Sequence, residues 1–222
     1  MVQYVLRRCV SMYEDAKKEV LDICLQMVKE NLVIGSSGNV SIRLGNHVVI
    51  TASSIHYTEM NSDDMVVLDM NGNVIEGTKN PSTETKMHLE LYNTRKDAKA
   101  VVHTHSLYAT AMAVLNEPLP PIIDEVVPKL GSEIRVSKYA VPGTKELAKN
   151  VAAAMEDRSA AFIGNHGAVC IGKTLKEALH LALVLERTSE IYLIAKQSGT
   201  PHLLPEDAVQ DEQDVWEMMR GF

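Results

Sequence analysis

Cysteine is scarce: Cys9, Cys24 and Cys170 are odd in number, widely separated and without a CxxC pair. A disulfide framework is therefore excluded as the organising principle, a thiolate zinc site lacks support, and the usage fits a reducing, cytoplasmic setting. Positive charge is also short, since 22 Lys and Arg face 29 Asp and Glu for a formal charge of −7. No basic stripe is present to neutralise a nucleic-acid backbone or anionic lipid, so neither is an expected partner. No apolar run is long enough to span a bilayer. The first ten residues contain Arg7 and Arg8 but lack the apolar stretch and small-residue cleavage site of a secretory signal, so they are expected to belong to the fold. Repeats, low-complexity segments and linkers are absent as well. The 222 residues, 45% of them hydrophobic, should form a single domain over 1–222.

Periodicity then orders the chain. Val20, Ile23, Cys24, Met27 and Val28 recur at helical spacing and predict a helix over 19–32. Segments 39–44 and 47–51 flank Gly45-Asn46, and 65–70 and 73–75 flank Asn71-Gly72, which predicts two hairpins. Ser82 is expected to cap a helix over 83–95 that turns Met87, Leu91 and Tyr92 inward. An apolar strand over 99–104 and a short helix over 108–115 follow, and Leu119-Pro120-Pro121 makes a turn or extended link. Beyond lie a strand over 134–140, a helix over 145–155, and strands 160–163 and 168–171 around Asn165-His166-Gly167. Thr174 and Glu177 form a capping box for a long helix over 175–197, ended by Gly199 and Pro201 before a short acidic tail. Helices interleaved with hairpins predict a three-layer α/β/α sandwich around a mixed, largely antiparallel sheet.

His103-Thr104-His105 closes the apolar strand, and strand alternation sends both imidazoles to one face. That spacing suits two ligands of a divalent metal, with His166, in its tight turn, as the leading third. Three histidines leave a coordination position open, as catalytic zinc sites do. Alone, an HxH is equally two ordinary histidines at a strand end. His47, His56, His88, His180 and His202 show no such pairing and read as surface or core histidines. Glu84 lies in the first turn of the helix after Ser82, where the helix dipole favours its ionised form; it could act as a base, as a metal ligand, or only as a helix-start carboxylate. Gly38-Asn39, Ser53-Ser54 and Ser82-Thr83 are polar clusters able to hold a phosphate without cationic side chains, although each alone could be an ordinary turn or cap.

Gly38-Asn39-Val40-Ser41, Ile50-Thr51, Pro81-Ser82-Thr83-Glu84, His103-Thr104-His105-Ser106 and His166-Gly167 occur in an order and spacing that resemble one family across nearly the whole chain. It is the class II sugar-phosphate aldolases related to L-fuculose-phosphate aldolase, which share a fold with the L-ribulose-5-phosphate 4-epimerases. The resemblance implies His103, His105 and His166 as zinc ligands and Glu84 as an acid/base residue that also touches the metal when no substrate is bound. It implies Asn39, Ser53, Ser54, Ser82 and Thr83 as phosphate-binding positions, and a homotetramer with active sites between subunits. Two positions depart from it. Ser54 stands where fuculose-phosphate aldolase has glycine, and Asp124 falls, counting back from Tyr139, where that enzyme carries a tyrosine donated by the adjacent subunit.

The expected function is therefore metal-dependent cleavage of a ketose 1-phosphate, of fuculose or deoxypentulose type, to dihydroxyacetone phosphate and a short aldehyde. Zinc is the expected metal, with manganese and cobalt also accommodated by three imidazoles and a carboxylate. Three alternatives share the fold. A 4-epimerase usually has Asp at the position of Glu84; a methylthioribulose-phosphate dehydratase differs in the segment after Glu84; a noncatalytic adducin-like binding module would not need the histidine triad.

Overall fold

The computed structural model describes residues 2–220, with side chains from Met12 to Met219. The first helix, α1 (Val2–Lys29), runs further toward the N-terminus than the apolar stripe alone indicates. Val20, Ile23, Cys24 and Met27 on that stripe are buried. The hairpin β1 (Asn39–Leu44) and β2 (His47–Ile50) closes with Leu44 opposite His47. In the second hairpin, β3 (Val66–Asp69) and β4 (Val74–Glu76), Asp69 Oδ1 accepts from the backbone N–H groups of Asn71 and Asn73 at 2.8 and 2.9 Å. Its carboxylate thus organises the turn that Gly72 completes at φ +87°.

The later elements are α2 (Thr85–Thr94), β5 (Ala100–Thr104), α3 (Leu107–Leu115), α4 (Val127–Leu130), β6 (Val136–Ser137), α5 (Lys145–Met155), β7 (Ala160–Ile163), β8 (Gly167–Gly172), α6 (Leu175–Ser198) and α7 (Glu206–Arg220). One eight-stranded sheet runs β4-β3-β2-β1-β5-β8-β7-β6. Every pair is antiparallel except β6 and β7, which the α5 crossover joins in parallel. The expected mixed, largely antiparallel sheet is therefore present. Alternate residues of β5 serve opposite faces: Val102 joins Val20, Met27, Phe162 and Leu185 on one side, and Val101 joins Met87, Leu91, Leu147 and Val151 on the other. With both faces covered, β5 and β8 are buried along their whole length, and this central pair carries the site.

Two expectations are corrected, and one element appears that was not foreseen. The strand foreseen over 134–140 shrinks to the two residues of β6, because this edge strand pairs only with β7 while Ile134 bridges to Leu119 and Tyr139 turns into solvent. Ser82 is not the cap of α2; Glu84 occupies that position, and the Ser82 hydroxyl instead accepts from the Glu84 N–H at 3.2 Å. The acidic tail is a helix, α7, docked through Trp216, which is 4% exposed and lies against Gly131 where a β-carbon would come within 3.1 Å of the indole. Cys24 and Cys170 are buried free thiols whose pKa values burial pushes up. Among the described residues no helix is long and apolar enough to cross a membrane.

Candidate active site

Strand register brings the site together. Asn39 on β1 and Val169 on β8 lie on either side of His103 on β5. His105 follows the strand end, its backbone N–H held by Leu32 O at 3.1 Å. His166 sits in the three-residue turn between β7 and β8, where Asn165 takes φ +56° and bonds to Ala113 O. Two glycines permit the approach. A β-carbon on Gly167 would lie 2.3 Å from Thr104 O, and one on Gly38, at φ +74°, 2.5 Å from His103 O. The three imidazole centroids end 4.8 to 4.9 Å apart, edge to face.

Glu84 completes the cluster. Its Oε2 lies 2.9 Å from His103 Nε2 and accepts from Asn39 Nδ2 at 2.9 Å; its Oε1 lies 3.7 Å from His166 Nε2 and has no hydrogen-bond partner. One ligand atom from each of Glu84, His103, His105 and His166 falls within 4.8 Å of the others. The donor logic shows what this group needs. His103 Nδ1 is 2.8 Å from Ala168 O, and a carbonyl only accepts, so Nδ1 carries the proton and Nε2 presents its lone pair. That lone pair faces both a carboxylate oxygen and, at 3.0 Å, His105 Nε2. Acceptors converging in a buried space require positive charge among them, either a proton or a cation.

The titration behaviour agrees. Burial lowers the His103 pKa, but the adjacent Glu84 charge and the hydrogen bonds to Glu84 and Ala168 O together outweigh it, and the net direction is up. For Glu84, burial acts upward and is overcome by His103 and His166, leaving the carboxyl well below the usual range. Burial and the His103 charge push His105 down to about 3 and also lower His166, so both offer neutral nitrogen at neutral pH. Three imidazoles and a carboxylate with an unpartnered buried oxygen are a donor set that fits a divalent metal.

Glu84, His105 and His166 line one side of a cleft of about 250 Å³ that is also lined by Gly38, Asn39, Ser53, Ser54, Ser82 and Thr83. All six phosphate-site candidates thus meet at one place, together with Ser36, Ser37 and Pro142, which sequence reasoning did not single out. Among the described residues no Lys or Arg lines it. Asn39 is more committed than expected: Nδ2 gives one hydrogen to Glu84 and Oδ1 faces His88, so its second N–H is what remains for a ligand. Asp124, in contrast, is exposed in the turn before α4, near Glu212, and does not line the cleft of its own chain.

Ser54 takes φ +62°, in the left-handed region where a β-carbon is strained. Ser54→Gly is expected to raise the midpoint of urea unfolding, equivalent to about 0.5–1 kcal/mol. A lowered midpoint would mean that the Ser53–Ser54 hydroxyl contact at 3.2 Å outweighs the backbone strain.

Residues 18–193 match the family described as Class II Aldolase and Adducin N-terminal domain. The chain belongs to this family. Among its relatives, the 5-methylthioribulose-1-phosphate/5-deoxyribulose-1-phosphate aldolase of Rhodospirillum rubrum is 35% identical over 191 residues, 86% of each chain. The 5-deoxy-D-ribulose 1-phosphate aldolase of Bacillus thuringiensis serovar kurstaki is 36% identical, covering 88% of this chain and 92% of that one. A solved L-fuculose 1-phosphate aldolase superposes with a TM-score of 0.88 at 38% identity, over 91% of this chain and 96% of the other. Within this class II aldolase framework one buried residue escaped the sequence reading. His88, set aside there as an ordinary histidine, lies against Asn39; its spacing of four from Glu84 along α2 was the available signal.

Proposed function

We propose that the chain is a metal-dependent aldehyde-lyase that cleaves a ketose 1-phosphate, of the fuculose or deoxypentulose type, reversibly to dihydroxyacetone phosphate and a short aldehyde. The observation that carries this reading is the convergence of Glu84 with three imidazoles, of which His105 and His166 line, with Glu84, a cleft that is otherwise rich in hydroxyls. The names of the relatives, all sugar-phosphate aldolases acting on ketose phosphates, support it.

Gly38, Asn39, Ser53, Ser54, Ser82 and Thr83 hold the substrate phosphate through neutral donors. His103, His105 and His166 hold one divalent metal, zinc first among zinc, manganese and cobalt, with Glu84 as a further ligand before substrate arrives. A divalent ion held there would supply positive charge where negative charge develops as the carbon–carbon bond breaks. Glu84, held ionised, is poised in the synthetic direction to take a proton from the hydroxylated carbon of dihydroxyacetone phosphate. In cleavage the hydroxyl of the departing carbon sheds its proton to solvent as its carbonyl forms, and Glu84, having taken up a proton from solvent, delivers it to the enediolate carbon, which releases the triose phosphate. A homotetramer with sites between subunits accommodates the exposed Ile34, Leu107, Tyr139 and Val141, which sit on the segments that flank the cleft. A cytoplasmic enzyme fits the cysteine usage.

A panel of ketose 1-phosphates, coupled through glycerol-phosphate dehydrogenase, should consume NADH as triose phosphate appears. In reverse, dihydroxyacetone phosphate with lactaldehyde or acetaldehyde should yield a new ketose 1-phosphate. Inversion of a pentulose 5-phosphate without triose release would assign the chain to the epimerase branch instead.

A further inference from the structure

A continuous hydrogen-bond chain leads from Glu84 into the interior of the sheet. Asn39 Nδ2 donates to Glu84 Oε2 at 2.9 Å, and Asn39 Oδ1 lies 2.5 Å from His88 Nε2. His88 Nδ1 lies 2.7 Å from Ser41 Oγ, which is 2.7 Å from the Tyr92 hydroxyl. His88, Ser41 and Tyr92 are fully buried and Asn39 is 5% exposed, so water does not stand in for a missing link. We propose that His88 is a positioning residue for the reaction, fixing through this chain which end of the Asn39 amide faces Glu84 and hence which carboxylate oxygen is left free to exchange a proton.

The direction of every link follows from its end. An ionised carboxylate only accepts, so the amide must present Nδ2 to Glu84 and Oδ1 to His88. A carbonyl oxygen only accepts, so His88 carries its proton on Nε2 and presents a bare Nδ1. The Ser41 hydroxyl therefore donates to His88 and accepts from the Tyr92 O–H. Nothing in the chain can reverse alone, and a flipped Asn39 would set two acceptors against each other at Glu84 and two donors against each other at His88. The ring is fully buried, and an interior without water disfavours a charged imidazole, which keeps it in this neutral form. The outcome is an asymmetric carboxylate: Oε2 is pinned by Asn39, while Oε1, buried and unpartnered, is the working oxygen. The cost of Asn39 turning is what holds Glu84 in that attitude.

This inference rests on the catalytic reading of Glu84, and its test has one arm that needs no activity. In metal-loaded protein labelled with 15N-histidine, the His88 signals, assigned by their loss in His88→Gln, should show the neutral ring with hydrogen on Nε2. A ring protonated on Nδ1, alone or together with Nε2, overturns the proposal whether or not a substrate has been found. The second arm compares turnover per metal-loaded site. His88→Leu, which removes the donor, should lower kcat by about 10–100-fold, with KM and metal content unchanged. His88→Gln, whose amide can place an N–H where Nε2 stood, should recover most of that loss. Equal kcat in His88→Leu and the parent overturns the proposal, as does a His88→Gln variant no better than the leucine; where the leucine variant does not fold, the tautomer decides. Absence of aldolase activity in the parent would sink the functional reading and leave the tautomer result standing.

Discussion

Glu84→Gln is expected to keep the fold and the bound metal while lowering turnover by about two orders of magnitude or more. The substitution preserves size, and its carbonyl can still accept from Asn39 Nδ2 in the position of Oε2. The metal stays because the three imidazoles remain convergent without the carboxylate. What disappears is the group that takes and returns a proton at the carbon next to the ketone. Two readouts isolate that loss. Steady-state cleavage reports the whole cycle, and exchange of the dihydroxyacetone phosphate proton with deuterated solvent reports the enolisation half without any aldehyde present. Both should fall together. A variant that turned over like the parent would reduce Glu84 to a helix-start residue; one that lost cleavage but kept exchange would move its role to another step.

Much of this site was legible in the chain because it rests on local rules. Period-two alternation in an apolar strand is enough to send His103 and His105 to one face, and Asn165-His166-Gly167 announces a tight turn that can bring a third ring to a strand end. Hairpins marked by Gly45-Asn46 and Asn71-Gly72 formed where turn chemistry required them. What was not legible depends on contacts distant in sequence. The strand foreseen over 134–140 looked apolar enough, but strand length is set by the partner, and β7 offers β6 only Phe162 and Ile163. Nothing local in the acidic tail announces that Trp216 packs against Gly131, some eighty residues earlier. His88 illustrates the same limit inside the site, since it lies on α2, its partner Asn39 lies on β1, and only the fold brings them together.

Removing the metal should have the other large effect: a chelator abolishes activity and a divalent ion restores it. The reason lies in how little else could serve. Within the cluster His103 is fully buried, and its Nδ1–H is tied to Ala168 O, so its Nε2 cannot turn away and no solvent-borne group can take its place. Replacing it by alanine leaves two imidazoles and a carboxylate around a void, and bound metal should drop well below one per subunit. Thermal unfolding gives an independent check, because an ion that binds only the folded state stabilises it by about 2.7 kcal/mol at a hundred times its dissociation constant. The parent should therefore melt higher as metal is added, and His103→Ala should not. The same comparison separates a ligand from a packing residue: a histidine that only filled space would lower the melting temperature equally with and without the ion. Full activity in rigorously metal-free protein would sink the catalytic role of the cluster. Unchanged metal stoichiometry in His103→Ala would leave a metal enzyme but take His103 out of its site.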